Sequence, residues 1–224
     1  MNTKQSYIEI RNFSKIIRGN IILSDINLKL DRGKIYGFRG KNGSGKTMLF
    51  RAICGLIKSS GGEIIIDGKT LGKEISFPEN AGVLIEYPGF LSELTGFRNL
   101  KFLAEINDKI GDDGIKNSLK KVGLDPEDKR KFRKYSLGMK QRLGIAQAIM
   151  ENPDLIILDE PTNALDIDGV ELINNIIFDL KKQNKIILIA DHDKEDLEML
   201  CDEIYTIQLG KITNHEILRE NNIV

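Results

Sequence analysis

Three stretches of the chain are apolar without interruption: LIIL at 155–158, IILIA at 186–190 and VLI at 83–85. Short continuous runs of this kind, bounded by turn residues, predict strands buried on both faces. Leu172, Ile173, Ile176, Ile177 and Leu180 recur at helical spacing between two of these runs. Strand, helix and strand in alternation predict a parallel sheet with helices packed on it. The first thirty residues follow another rule. YIEI and INLKL alternate apolar with polar, DRG at 31–33 reads as a tight turn, and EIIIDGK at 63–69 reads as a strand ending in a turn. That pattern predicts an antiparallel sheet beside the parallel one. Residues 91–136 lack a strand pattern, and LTGFRNLKFLAEI and IKNSLKKVGL are amphipathic at helical spacing. The expected architecture is therefore α/β. A mostly parallel core carries an N-terminal antiparallel β-subdomain, and a helical subdomain of about 91–150 is inserted into a single domain spanning 1–224.

The VLI run is followed by Glu86, Tyr87, Pro88 and Gly89. A strand that ends on a carboxylate before a loop that cannot be helical asks for a function at that strand end.

Composition narrows the classes. Of 224 residues, 41% are hydrophobic and 29% charged, enough for a core without disulfides or structural metal. Lys+Arg and Asp+Glu both number 33, a formal net charge of zero that disfavours a general nucleic-acid binder. The basic run between Lys116 and Lys134 carries few stacking aromatics and reads as a solvated face. Cys54 and Cys201 sit in apolar surroundings and read as small buried hydrophobes, which fits a reducing compartment. The N-terminal MNTKQSYIEI lacks the apolar region of a signal peptide, and no apolar run is long enough to span a bilayer.

Residues 40–47 read GKNGSGKT, which fits G-x-x-x-x-G-K-[ST] between a predicted strand, KIYGF, and a helical pattern, TMLFRAICGL. Gly40, Gly43 and Gly45 let the backbone curl so that its N–H groups converge on phosphate oxygens, with Asn42 and Ser44 between them. The helix N-terminus at Lys46, Thr47 and Met48 adds positive potential. Lys46 is expected on the β- and γ-phosphates of a nucleotide, and the Thr47 hydroxyl on Mg²⁺. Kinases, GTPases, helicases and transporter motors all use this loop.

Two further strand ends carry chemistry. LIILDEP places Asp159 and Glu160 directly after a buried strand, where ligands of parallel sheets gather. Asp159 is expected to hold Mg²⁺, and Glu160 to polarise the attacking water. IILIADHD places His192 after another buried strand, where the γ-phosphate is expected. His215 has no such context.

The order of these motifs resembles the nucleotide-binding domain of ABC ATPases over nearly the whole chain. YSLGMKQR at 135–142 looks like the family's signature, usually LSGGQ. NALD at 163–166 looks like its D-loop, and His192 stands at its switch-histidine position. The resemblance implies ATP and Mg²⁺ as cofactors and a head-to-tail dimer, either of two copies or with a related chain. In it Ser136 and Gly138 of one subunit face the γ-phosphate held by Lys46 of the other. Closure would then depend on ATP, and hydrolysis would let the dimer open.

Three departures from the family pattern stand out. The signature has Leu137 and Met139 where Gly and Gln are usual. Ile17 stands near the usual position of an aromatic that stacks on adenine, leaving Phe13 or another neighbour to substitute and predicting weak nucleotide affinity in the isolated subunit. Glu86 replaces the usual Q-loop glutamine, where it is expected to act in catalysis and to contact Mg²⁺. Glutamate followed by YPGFLSELTGFRNL resembles the ATPase subunits of bacterial bacitracin and lantibiotic-peptide exporters, some of which carry a longer C-terminal extension. The resemblance implies an ATPase motor at the cytoplasmic face of the membrane, docked through residues 86–105 to a separate permease. Nucleic acid is not an expected partner. Other exporters or importers, a soluble ABC protein acting on ribosome or nucleic acid, and a non-catalytic nucleotide-gated module are the competing readings. The single domain with neutral charge disfavours the second, and the presence of Glu160 and His192 the third.

Overall fold

The computed structural model describes residues 6–218. The signal-peptide reading of the first five residues and the C-terminal end at 219–224 lie outside the described residues. In chain order the elements are β1 (Ile8–Ile17), β2 (Asn20–Leu30), β3 (Ile35–Arg39), α1 (Lys46–Ile53), β4 (Gly61–Ile66), β5 (Lys69–Thr70), β6 (Ala81–Leu84), α2 (Gly96–Asn107), α3 (Asp112–Lys121), a 3₁₀ turn (Phe132–Lys134), α4 (Leu137–Ile149), β7 (Leu155–Asp159), α5 (Ile167–Lys182), β8 (Ile186–Asp191), α6 (Lys194–Leu200), β9 (Glu203–Gln208) and β10 (Lys211–Ile217). They divide into two compact units, Ala81–Leu180 and the remainder.

In the first unit, the alternating N-terminal strands form an antiparallel sheet in the order β2-β1-β4-β5. Ile8 pairs with Leu30 and Ile66, and Ile10 with Leu28 and Ile64, so one face of the sheet is apolar and buried. The register shifts after Ile10, next to Asn12 in the left-handed region at φ 48°. Phe13, just beyond, is only 2% exposed. The continuous runs form the other sheet. β3 lies parallel to β8, with Ile35 opposite Ile187, and parallel to β9, with Tyr36 opposite Glu203. Every residue of β8 is buried, as its uninterrupted apolar sequence predicts. Phe38 of β3 meets Phe50 of α1 edge-on at 5.3 Å and stacks on Tyr205 at 5.6 Å, which fixes α1 against the sheet.

One buried polar cluster ties this unit's C-terminal strands to its core. Glu203 is 7% exposed; it accepts from Lys34 at 2.6 Å and from Tyr205 at 3.3 Å, and pairs with His215 at 2.8 Å. Burial pushes the Glu203 carboxyl up, but the hydrogen bonds from Lys34 and His215 outweigh it and hold the carboxyl below the ordinary glutamate value. A depressed folded value means stability that is present above the unfolded value, about 4.3, and lost as pH falls through the folded one. The advantage of the wild-type chain over Glu203→Gln should therefore shrink on acidification below that range. Urea unfolding midpoints of both proteins across the acid limb measure it; a gap independent of pH would contradict the assignment.

In the second unit, β6 and β7 are parallel, with Gly82 opposite Ile156 and Leu84 opposite Leu158. β7 is buried throughout. β6 is not: Val83 and Ile85 are half-buried beside a buried Leu84, so the expectation of two buried faces holds for β7 and β8 but not for this strand. Helix α4 packs on β6 so closely that a Cβ on Gly82 would collide with the Ala148 carbonyl. Between the strands the chain is helical. Thr95 caps α2, accepting from the Arg98 N–H at 3.2 Å, and the Asn99 amide binds both the N–H and the carbonyl of Leu91. The basic run is drawn into surface pairs: Lys116 with Glu127, Arg130 with Asp128, and Lys131 and Arg133 with Glu93. Cys54 and Cys201 are free and buried, and burial pushes the Cys54 thiol up to about 12, too weakly acidic to act as a thiolate. No helix among the described residues is long and apolar enough to cross a membrane.

Candidate active site

The first unit holds the loop in which the sequence predicts phosphate binding. β3 ends at Arg39, the loop from Gly40 follows, and α1 begins at Lys46. Gly43 and Gly45 take φ of 79° and 114°, values that L side chains rarely adopt. Gly45 also lies beneath Leu23 and Gly210, so the loop is pressed from behind by β2 and the β9–β10 turn. The Gly210 N–H binds the Ser44 carbonyl at 2.8 Å, and the Ser44 N–H binds the Lys41 carbonyl at 3.0 Å. No side chain caps the N-terminus of α1, so Lys46, Thr47 and Met48 present its first N–H groups.

Two details fit this cradle to an anion. The Ser44 hydroxyl is buried and has no hydrogen-bond partner among the described residues, a cost of about 1–3 kcal/mol unless a ligand meets it. Lys46 is 5% exposed, with its ammonium folded onto the carbonyls of Gly40 at 2.5 Å and Lys41 at 3.5 Å, at the mouth of its own loop. A Cβ on Gly40 would fill the space of the Ser44 hydroxyl and the Ile207 carbonyl. Asn42 is exposed at the tip. An open cavity of about 620 Å³ is lined by this loop, by His192 and by residues of the β9–β10 turn. The parallel register explains the meeting. Arg39 lies opposite Asp191, so the loop and His192 leave the same edge of the β3–β8 pair.

The apolar end of the β1–β2 hairpin belongs to the same unit. Ile16, Ile17 and Ile21 are 48%, 39% and 64% exposed. Phe13 is not available to replace the missing aromatic, since its ring is part of the core.

The second unit gathers the acids at one strand edge. Leu84 and Leu158 are register partners, and Glu86 and Glu160 each stand two residues beyond them. Both adopt the left-handed conformation, at φ 59° and 50°, which turns the chain sharply off the strand. That answers why the VLI run ends on a carboxylate: the two glutamates leave one edge in matching turns. Asp159 is the last residue of β7 and is 8% exposed.

The signature segment is tied to this edge. Ser136 caps α4, accepting from the Met139 N–H at 3.2 Å. Gly138 lies so near Ala164 that an added Cβ would stand 3.0 Å from its carbonyl. One helical turn on, the Gln141 amide donates to the carbonyls of Glu160 and Pro161 at 2.9 and 3.2 Å. Asn163 reaches the Glu160 carboxylate at 3.4 Å, and Arg142 pairs with Asp166 at 3.0 Å. Gln141 and Asn163 were not singled out by the sequence reading. Their polar side chains sit inside motifs without breaking any pattern, and only the fold shows what they hold. Leu137 is 63% exposed beside Ser136.

The family model for ABC transporters matches residues 23–163. An uncharacterised ABC transporter ATP-binding protein of Bacillus subtilis, YybJ, is 44% identical over 93% of this chain and 96% of its own length. The bacitracin transport ATP-binding protein BcrA of Enterococcus faecalis is 37% identical over 95% of this chain and 70% of its own. The lantibiotic transport ATP-binding protein SrtF of Streptococcus pyogenes is 36% identical over 92% and 88%. Among solved structures, cbiO1 from Clostridium perfringens, part of the ABC transporter complex cbiONQ, superposes with a TM-score of 0.81 at 27% identity, covering 96% of this chain and 89% of that one.

Proposed function

From the premise that the chain belongs to the ABC transporter ATP-binding family, an ATPase family, we propose that it is the motor subunit of a membrane exporter for antimicrobial peptides of the bacitracin or lantibiotic type. The observation that carries the reading is the similarity to two such transport proteins over more than nine-tenths of this chain. In this reading the protein is peripheral at the cytoplasmic face and works with a separate permease docked through residues 86–105.

The chemistry is assigned residue by residue. Lys46 and the N–H groups of Gly43, Gly45, Lys46, Thr47 and Met48 bind the phosphates of ATP, and the Ser44 hydroxyl gains there the partner it lacks. Thr47 and Asp159, with Glu86 as a further carboxylate, would hold Mg²⁺; this all-oxygen donor set is the kind that cation takes. Bound Mg²⁺ neutralises charge on the phosphate oxygens. Glu160 accepts a proton from the attacking water and orients it towards the γ-phosphorus. His192 donates to a γ-phosphate oxygen. Ser136 and Gly138, at the N-terminus of α4, face the nucleotide of a paired subunit, where hydroxyl and helix dipole favour a phosphate. ATP thus binds the closed pair better than the open one, and cleavage of the γ-phosphate removes that preference. Glu86 adds negative charge where an amide is usual, so closure should depend more steeply on Mg²⁺ than in relatives with glutamine.

Affinity capture of the tagged chain from native membranes, followed by mass spectrometry, tests the reading. A polytopic permease is the expected companion, and cells lacking the chain should become sensitive to bacitracin or a lantibiotic. Co-purified ribosomal proteins or a solute importer would overturn export while leaving the ATPase in place.

A further inference from the structure

Five of the six residues from Lys129 to Lys134 are cationic, in a chain whose formal net charge is zero, and the chemistry above uses none of them. All five are exposed, and together with Asp128 they line an open concavity of about 490 Å³. Arg130 pairs with Asp128, and Lys131 and Arg133 share Glu93. Lys129 and Lys134 meet no carboxylate among the described residues. Five cations against two carboxylates leave a surplus of positive charge on one short segment. The acids just upstream are committed elsewhere, Glu127 to Lys116 and Asp125 to the Glu127 N–H. Backbone bonds seat the segment. The Phe132 N–H donates to the Leu94 carbonyl at 2.8 Å, the Arg133 N–H to the Ser92 carbonyl at 3.1 Å, and Thr95 and Lys131 form a bridge. Phe132 is 8% exposed and meets Phe90 edge-on at 5.3 Å. The basic segment is thus laid along residues 92–95, inside the stretch through which the permease is proposed to dock.

We propose that this basic segment contacts the anionic surface of the lipid bilayer: phosphate-bearing headgroups meet the cations of Lys129–Lys134 while the adjoining stretch holds the permease. The proposal rests on the reading of the chain as a peripheral subunit of a membrane exporter. Lys and Arg side chains beside an anionic leaflet are attracted to it one by one, with no need of an enclosed pocket. Exposed ion pairs are worth little, so Arg130, Lys131 and Arg133 can exchange a carboxylate for a headgroup phosphate. Single-stranded nucleic acid is the poorer fit, because its bases need rings to stack on. Phe132 and Tyr135, the aromatic residues here, are both buried, so the segment offers charge and no stacking face. An acidic permease segment is the poorer fit too, since Glu93, within the docking stretch itself, already engages Lys131 and Arg133 and still leaves the surplus unspent.

Co-sedimentation of the full chain with lipid vesicles tests the contact with no permease present. At low ionic strength the chain should partition onto vesicles of phosphatidylcholine containing about one-third phosphatidylglycerol, stay off phosphatidylcholine alone, and be released by high salt. Each cation removed should lower the partition coefficient about fivefold, so Lys129→Ser combined with Lys134→Ser should lower it about 25-fold. Lys58→Ser combined with Lys211→Ser removes two exposed lysines of the other unit and should lower it less than about threefold, since the attraction fades within a Debye length. Thermal melts of both double variants should match the wild-type chain, because none of the four side chains is buried. Equal binding to neutral vesicles, or equal losses in the two double variants, would overturn the proposal. Affinity capture from native membranes keeps the two failures apart. A chain that captures a permease but ignores anionic vesicles would sink the lipid contact alone and give the basic segment to the permease. A chain that captures none would sink the motor reading.

Discussion

Glu160→Gln should bind ATP as the wild-type chain does and release almost no phosphate. The substitution is nearly isosteric, and the structure shows what it leaves in place. Glu160 turns off β7 at φ 50°, its carbonyl is held by the Gln141 amide at 2.9 Å, and its carboxylate lies 3.4 Å from the Asn163 amide. None of these contacts requires a charge. What disappears is the capacity to accept a proton from water, for which an amide is useless at neutral pH. Loss of a general base costs about 10²- to 10⁴-fold, and the binding surface is untouched. ATP should then accumulate on a closed pair, visible as a stable dimer in size-exclusion chromatography when ATP is present and as monomer when it is absent. Steady-state phosphate release beside a nucleotide-binding titration measures both halves of the expectation. Hydrolysis within a few-fold of wild type would remove Glu160 from its role.

Lys46→Ala should fail one step earlier, at binding. The ammonium of Lys46 lies at the loop mouth on the Gly40 and Lys41 carbonyls, where the loop N–H groups converge. Hydrogen bonds to a charged partner are worth about 1.5–3 kcal/mol, so the dissociation constant for ATP should rise by about 10- to 150-fold. The missing aromatic near Ile17 leaves little base stacking to compensate, so binding should be weak enough to need direct titration. A thermal melt guards against the trivial explanation, since Lys46 is 5% exposed and its loss strips two carbonyls of a donor. Unchanged ATP affinity in a folded variant would remove the phosphate loop from the mechanism.

The parts of this site that depend on consecutive residues were legible in the sequence. GKNGSGKT needs its glycines for φ and its lysine for charge, and both requirements show as letters. LIILDE and IILIADH show as apolar runs that stop on polar groups. What escaped was structure carried by surface strands and by distance in sequence. β9 and β10 were not singled out, because β10 is exposed or half-exposed along its whole length and so has no hydrophobic period to read. A signal was available in the two-residue turn between them, where Leu209 and Gly210 take φ of 47° and 74°, as tight hairpins require. Phe13 was a plausible base-stacking residue by position and composition. The register shift before it places the ring inside the core, and irregular pairing of that kind leaves no trace in an apolar count. The VLI run looked like a strand buried on both faces, yet Val83 and Ile85 are half-buried, since three residues are too few for periodicity to distinguish the cases. Gln141 is the clearest omission, because its partners at Glu160 and Pro161 are nineteen and twenty residues away.

That amide has a consequence for how two nucleotides are handled. Through Gln141, the backbone of Glu160, the proposed base for the water at one ATP, is fastened to the helix whose capped end is proposed to face the other. In the proposed head-to-tail pair the two turnovers are therefore expected to be correlated. Phosphate release plotted against ATP concentration should be sigmoidal, and Gln141→Ala should restore a hyperbola: the subunit counts to two, and the thread it counts on is a single side chain.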